Sequence, residues 1–467
     1  MKKLLFTLAI LFAAAIGLSA QNFRTGYFLD GYMYKYQLNP AFQGERGFLA
    51  LPVIGGTSVG VEAKISGAAL AYPSVDGSSV SWFTDSEVSM DEFMSKIDKF
   101  NPVNESFDMN LFAIGFRAKN TYHTLDFSVR GQANEYIPGD AFRLAKDLAS
   151  GTEINDTYNL SNWSANINTF IQAAYGFSVK IKDVASIGFR AKFLLGAESV
   201  YSDLSDLRIS FAQDKYTLNA TGNVVVSPYL NNMLEGNAGS TPNEILKPIF
   251  STPSIGAALD FGFSVDFLKH FTFSGSVLDL GFISWKKSTL YDFNSTKWDL
   301  SYTETESGSG DNGLDSSVGQ ITSTIGEVAK AQNEYRHNLG FTTLLGLEFR
   351  VPFYTRISFG VLGTHRYEGV HSWTEGRFSV NYAPFRWFSL SGNYAMSTFG
   401  ESYGAAVNLH PKGFNLFLGI DSFKPLLNTA AGYIPMDELN TNVKLGLTFP
   451  FGKYNGRYPK KEKIGQE

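Results

Sequence analysis

Segment after segment of this chain places an apolar side chain at every second position, and that period decides what it can fold into. From 255 to 265 the odd positions read Ile255, Ala257, Leu259, Phe261, Phe263 and Val265, interleaved with Gly256, Ala258, Asp260, Gly262 and Ser264. Ile171, Ala173, Tyr175, Phe177, Val179 and Ile181 alternate in the same way with Gln172, Ala174, Gly176, Ser178 and Lys180. Ala185, Ile187, Phe189, Ala191 and Phe193 do so with Ser186, Gly188, Arg190 and Lys192. Successive side chains of an extended strand leave opposite faces, so each stretch carries one unbroken apolar face. Each is long enough to cross a bilayer, which takes about 9 to 11 residues, whereas the usual soluble strand has about 5 or 6.

A secreted β-sandwich also alternates, with its apolar face packed against a second sheet. A sandwich would show water many Lys, Glu and Thr, but here the second face is mostly Gly, Ser and Ala with an occasional Asp, Arg or Gln. Small and ionic side chains suit the crowded interior of a barrel whose apolar face meets hydrocarbon. Charge is scarce, at 18% of residues, against roughly 25% in an ordinary soluble protein. Beyond the first twenty residues no uninterrupted run of about 20 apolar residues occurs, so a helical span is excluded and a closed barrel is the remaining way across.

The first twenty residues read as a secretory signal. Met1-Lys2-Lys3 supplies the charged start, Leu4 to Gly17 the apolar stretch, and Leu18-Ser19-Ala20 a small-residue cleavage site before Gln21. Cleavage would remove Lys2 and Lys3, leaving 37 basic and 44 acidic residues and moving the formal charge from -5 to -7. That is not the balance of a nucleic-acid binder. The absence of Cys excludes disulfides, thiol chemistry and an acyl anchor at Gln21.

Outer-membrane barrels have short periplasmic turns and longer external loops. Short links fall at Lys119-Asn120-Thr121, Lys182-Asp183, Leu268-Lys269-His270, Val351 to Tyr354, Ala383 to Arg386 and Pro411-Lys412. Long segments run near 132–166, 198–252, 284–338 and 422–440, with shorter opposite-end loops near 366–371 and 398–401. The alternation places strands near 109–118, 122–131, 167–181, 185–197, 253–265, 271–283, 339–350, 355–365, 372–382, 386–397, 402–410, 413–421 and 441–451. An even total then requires an odd number from 45–84: one strand gives fourteen, three give sixteen. The expected fold is therefore all-β, a transmembrane antiparallel β-barrel of 14 strands, or alternatively 16, with short helices in external loops.

Hairpins at 206–228 and 287–304 are expected to extend beyond the membrane. Ser89 with Glu92 forms a capping box ahead of Phe93, Ile97 and Phe100, and Pro138-Gly139-Asp140 opens a helical stretch reaching Leu148 with Gly151 as a stop. A third helical pattern runs from about Gln320 to Gln332, with Ile321, Ile325 and Val328 on one face. Such stripes either pack on the barrel rim or form a lid or apolar entry site. Ser307 to Asp311 reads as a Gly/Ser loop tip, and Trp285, Trp373, Trp387, Tyr394 and Tyr403 as interfacial aromatics.

Near the start, Tyr27-Phe28-Leu29-Asp30 is followed by Tyr36-Gln37-Leu38-Asn39-Pro40-Ala41-Phe42 and Leu51-Pro52, and later by Asp279-Leu280-Gly281-Phe282-Ile283-Ser284-Trp285, Gly413-Phe414-Asn415-Leu416 and Gly446-Leu447-Thr448-Phe449. This set resembles an uncharacterised Bacteroidota family of outer-membrane β-barrels, related in architecture to long-chain fatty-acid transporters. Asn-Pro-Ala also opens other barrels of that phylum, including ones associated with type IX secretion. The resemblance implies fourteen strands with the N-terminal segment folded into the lumen. The organisation read from the chain is a signal peptide at 1–20, a luminal segment at 21–46, the barrel at 47–452 and a basic periplasmic tail at 453–467 carrying Lys453, Arg457, Lys460, Lys461 and Lys463.

Asn39, Pro40, Ala41 and Phe42 form a structural motif: Asn-Pro starts a turn, and the Asn39 side chain can satisfy backbone amides. The aromatics of 21–46, including Phe23, Tyr27, Phe28, Tyr34 and Tyr36, either line a greasy path or block the bore, and are the candidate ligand-binding residues. His365, Glu368 and His371 lack a strong metal-ligand spacing, and Asp311, Asn312 and Asp315 lack a calcium-loop pattern. His123 and Ser128 have an odd separation and so face opposite ways, which removes the hydrolase reading. No catalytic residue, metal or cofactor is assigned, and no enzyme is expected.

The expected function is a Gram-negative outer-membrane barrel that binds or passes a hydrophobic or amphipathic small molecule. The alternative is a non-transporting scaffold, or a type IX secretion-associated barrel, meeting protein partners through its external loops. Expected partners are outer-membrane lipid and either a small hydrophobic molecule or a protein meeting the external loops, but not nucleic acid. A lateral opening or apolar pocket beside 21–46 would favour transport, and a solid polar lumen the scaffold.

Overall fold

A computed structural model describes residues 23–73, 79–150, 154–182, 184–212, 215–228, 230–231, 251–301, 328–332, 334–423, 429–430, 434–435 and 438–455. The strands are β1 (Thr57–Ser66), β2 (Phe100–Ala118), β3 (Thr121–Pro138), β4 (Trp163–Ile181), β5 (Ala185–Ala212), β6 (Ser254–Phe267) and β7 (Phe271–Lys286). They continue with β8 (Phe341–Arg350), β9 (Ile357–Tyr367), β10 (Trp373–Phe385), β11 (Phe388–Ser397), β12 (Gly400–Leu409), β13 (Asn415–Phe423) and β14 (Glu438–Phe451). Each pairs antiparallel with its neighbours in sequence, and β1 pairs with both β2 and β14, closing a barrel of 14 strands. The stretch 45–84 thus supplies one wall position.

That position is interrupted. Gly47–Ala50 lies between β14 and β2, as β1 does, and between the two pieces residues 51–54 arch outward with Leu51, Val53 and Ile54 exposed. Val53 sits at φ 65, unusual for a β-branched residue.

The alternation resolves into an outside and an inside. Phe193 is 52% exposed on the outer wall while its neighbour Lys192 is 4% exposed within. Ile255, Leu259, Phe261, Phe263 and Val265 face out, and Ala258, Asp260 and Ser264 are buried inside. A closed barrel with an apolar outer belt satisfies every ladder hydrogen bond internally and belongs in the outer membrane.

Connections at one end are short, from Lys119-Asn120 to the link after Leu409, and those at the other are long. At the long-loop end several strands overrun the belt. Strand β5 has 28 residues, and its upper part pairs with Lys215–Val226, which in turn pairs with Thr289–Ser301. Over β1 to β4 sits a small cap. Helix α1 (Met90–Met94) begins at Ser89, whose hydroxyl accepts from the Glu92 amide at 3.2 Å, and α2 (Gly139–Ser150) buries Ala141, Leu144 and Leu148 on one face, with Phe142 buried as well. With Phe93 of α1 they pack against Ile65, Ile137 and Trp163, so this part of the cap is a packed core.

Three expectations need correction. Ala329–Ala331, at the end of the third helical pattern, is a strand beside Thr289–Ser301, because the long hairpin there offers an open edge. Residues 320–327, the Ser307 to Asp311 tip, Asp311, Asn312, Asp315, the signal segment and the tail from 456 lie outside the described residues. Trp285 and Trp373 are not interfacial. A bulge sets Leu278 and Asp279 of β7 against Asp260 of β6, with Asp279 at φ 63, and it inverts the side-chain alternation above it. Trp285 is thereby buried, donating to the Tyr201 hydroxyl at 3.0 Å. Trp373 shares a face with Glu375 and Arg377 and points into the lumen. Trp387 and Tyr403 are exposed on the outer wall.

Candidate functional site

The bore is occupied by the chain's own N-terminal segment. Residues 23–42 enter as a 3-10 turn (Arg24–Gly26) and a single helical turn (Lys35–Leu38), with Phe23, Tyr27, Phe28, Tyr34 and Tyr36 all buried. Their rings meet mostly edge to face, as in the pairs Tyr27 with Phe28 at 4.9 Å and Tyr32 with Phe417 at 5.1 Å. They form one packed cluster with Phe48, Leu278, Leu344 and Leu362 of the wall, and Phe42 packs against it. The candidate aromatics are thus brought together as a core, and among the described residues they fill the bore rather than line an open path.

Asn39-Pro40-Ala41 lies hard against the wall. The Asn39 amide nitrogen donates to the carbonyls of Phe263 at 3.0 Å and Gly275 at 3.1 Å, while its oxygen accepts from the Ala41 amide at 2.9 Å. Glycines make room for it. A Cβ on Gly262 would stand 2.1 Å from the Asn39 side-chain oxygen, and one on Gly188 2.1 Å from the Pro40 carbonyl carbon. Further bonds run from Ser276 to the Leu38 carbonyl at 2.7 Å, from Ser389 to the Asp30 carbonyl at 2.6 Å, and from Arg350 to the Asp30 carboxylate at 2.9 Å.

Two buried ionic clusters surround this plug. In one, Arg190 joins Asp126 at 2.6 Å and Asp260 at 3.3 Å, Lys192 joins Asp260 and Asp279 at 2.6 Å each, and Arg130 reaches Asp279 at 3.1 Å. These groups come from β3, β5, β6 and β7 and stitch the inner wall together. In the other, Arg24 of the plug meets Glu62, Glu375 at 3.3 Å and Asp421 at 3.1 Å, with Arg377 joining Glu375 at 2.9 Å. Trp373 lies over the Arg24 guanidinium at 4.9 Å.

Above the plug, toward the long loops, lies a vestibule of about 320 Å³. Phe100, Tyr136, Val370, Trp373 and Phe399 supply apolar surface, and Asn104, Asn134, Lys64 and His371 polar atoms. Burial and the nearby Arg366 and His337 push the His371 imidazole down to about 4, so it is neutral at pH 7. Toward the short turns a polar cavity of about 570 Å³ opens beside Tyr27, Phe28, Lys35 and Arg350. Between these spaces lies a void of about 20 Å³ beside Arg24 and Trp373.

The other residues marked by sequence lie apart. His365 bonds Thr374 at 2.6 Å, and Glu368 pairs with Arg366 and accepts from Asn134 at 3.1 Å. His123 faces outward, stacked on Phe116 at 5.2 Å, while Ser128 is buried inside. Sequence reasoning had singled out neither Trp373 as a luminal residue nor Arg24. The available signal was alternation: Trp373, Glu375 and Arg377 share one face of β10.

No curated protein matches the chain in sequence. Among solved structures it is similar to the toluene transporter TodX of Pseudomonas putida, with 8% identity over 91% of this chain and 94% of that one at a TM-score of 0.42. It is also similar to the toluene transporter TbuX of Ralstonia pickettii, with 8% identity over 90% and 94% at 0.44, and to a FadL homologue of Pseudomonas aeruginosa, with 9% identity over 93% and 99% at 0.32. The model of the family described as a family of unknown function, DUF5723, matches residues 40–421, and the chain belongs to that family.

Proposed function

We propose that this outer-membrane barrel takes up a small amphipathic or hydrophobic molecule into its external vestibule and hands it onward only when the plug shifts. The observation that carries this reading is the vestibule itself, about 320 Å³ of space with Trp373, Phe399 and Tyr136 beside Asn134 and His371. Apolar walls with a few convergent polar groups are the usual make-up of a small-molecule site. The closed bore means that capture and passage are separate steps, the second requiring movement of residues 23–42.

The test is a ligand panel against the purified barrel in bilayers, read by quenching of Trp fluorescence in the parent and in Trp373→Phe. Saturable quenching lost in Trp373→Phe and weakened at least tenfold in Phe399→Ala supports the reading; about 1.4 kcal/mol of lost contact corresponds to that factor. Absence of saturable binding by any aromatic, fatty or amphipathic compound rejects it.

A second reading is favoured by one observation, the polar bonding that fills the lumen at the level of the plug. A barrel sealed by ion pairs is also suited to a scaffold that meets a protein through its loops. A partner recovered at one-to-one stoichiometry by crosslinking, and lost on deleting the cap helices without change in ligand binding, would favour that reading.

A further inference from the structure

Each of the six turns between strands at the short-turn end, and the start of the C-terminal tail, pairs an exposed cation with an exposed apolar side chain. Phe116 precedes Lys119, Val184 follows Lys182, Leu268 abuts Lys269, Phe353 precedes Arg356, Trp387 follows Arg386, Phe414 follows Lys412 and Phe451 precedes Lys453. Asp183 is the one carboxylate in the sequence of the six turns between strands at this end, although the whole chain carries a formal charge of -5. The basic character is therefore a matter of placement and not of composition. Acidic residues collect at the other end, where the cap alone carries Asp85, Glu87, Asp91, Glu92 and Asp98.

The repeat follows the perimeter. A soluble acidic partner would need a patch on one sector, whereas these pairs recur at each turn along the lower edge of the apolar belt. Apolar groups at that level sit among glycerol and upper acyl segments, and the cations beside them reach the phosphates. Zwitterionic headgroups carry their own compensating ammonium; anionic ones do not, so a ring of Lys and Arg discriminates in their favour. Short turns of outer-membrane barrels face the periplasm, which makes the contacted leaflet the inner one. We propose that the short-turn end is a headgroup collar that enriches anionic phospholipid around the barrel.

The full chain, reconstituted in bilayers of mixed phosphatidylcholine and phosphatidylglycerol with a spin label on one lipid at a time, reports the lipid bound to the protein. The expected result is a preference of roughly two- to fivefold for phosphatidylglycerol at low salt, falling toward unity near 1 M salt as screening sets in. A combined K119Q, K182Q, K269Q, K412Q and K453Q variant, verified as folded by heat-modifiable mobility, should lose the preference. A matched K96Q, K99Q, K286Q, K287Q and K330Q variant at the other end should keep it. No preference in the parent, full preference in the collar variant, or loss in the opposite-end variant overturns the proposal. So does an unselective collar that instead retains soluble polyglutamate in detergent, which would assign it to an acidic protein.

Discussion

The tightest constraint on single residues is the space between the plug and the inner wall. Gly262 faces the Asn39 side-chain oxygen so closely that a methyl group would stand 2.1 Å from it, and the wall strand cannot retreat without breaking its ladder with β5 and β7. Gly262→Ala should therefore loosen Asn39-Pro40-Ala41 and expose residues 23–42 to protease added to open vesicles. Gly376→Ala, at a position with nothing within 4 Å, should leave cleavage unchanged. Arg24 makes a different kind of contact. It is the plug's cation among Glu62, Glu375 and Asp421, all buried, and its loss leaves Arg377 alone to balance three carboxylates. Stranding buried charge costs about 3–5 kcal/mol. Arg24→Gln should lower the midpoint of urea unfolding followed by gel mobility, and Arg24→Gln with Glu375→Gln should recover part of the loss. A double variant no better than the single one would contradict this electrostatic account.

Among elements, those whose cause is local were legible in the sequence. Strands β4, β5 and β6 follow from alternation within about a dozen residues, and α1 from the Ser89 and Glu92 pair, because both signals are written in neighbouring side chains. The bulge at Asp279 was not legible. Its amide donates to Asp260 at 2.8 Å across the strand pair, a non-local contact, and it reverses the facing of everything up to Trp285. The motif at Asn39 was half legible: its bond to the Ala41 amide is a local turn, while its two wall carbonyls come from over two hundred residues away. The external turn carrying His371 makes a prediction at this scale. Its imidazole titrates near 4 when folded against about 6.5 when freed, so the unfolded turn binds the extra proton between those values. Stability contributed by neutral His371 is present above pH 6.5 and is lost as pH falls toward 4. Hydrogen exchange at 369–372, corrected for intrinsic rates, should show more opening at pH 5 than at pH 7.5, and His371→Gln should abolish the difference.

For the whole molecule, the decisive relation is between two cavities and the segment that separates them. The vestibule and the short-turn cavity, about 320 and 570 Å³, lie on either side of a plug joined to the wall by side chains from both halves of the barrel. Rigid-body tilting of so closed a cylinder cannot join them, since each strand is hydrogen-bonded to two neighbours; the mobile part has to be the N-terminal segment. A chain without Cys lets that be tested with one engineered pair. Ser276 donates to the Leu38 carbonyl at 2.7 Å, so Leu38→Cys with Ser276→Cys ties the plug to β7 at a place where the two already touch. In vesicles loaded with a ligand-sensitive dye, the oxidised pair should bind ligand at the vestibule with unchanged affinity while passage stops, and reduction should restore it. Passage that continues through the tethered barrel would mean that the route avoids the lumen, and binding that disappears with tethering would mean that the vestibule is built by the plug's motion and not by the fixed wall.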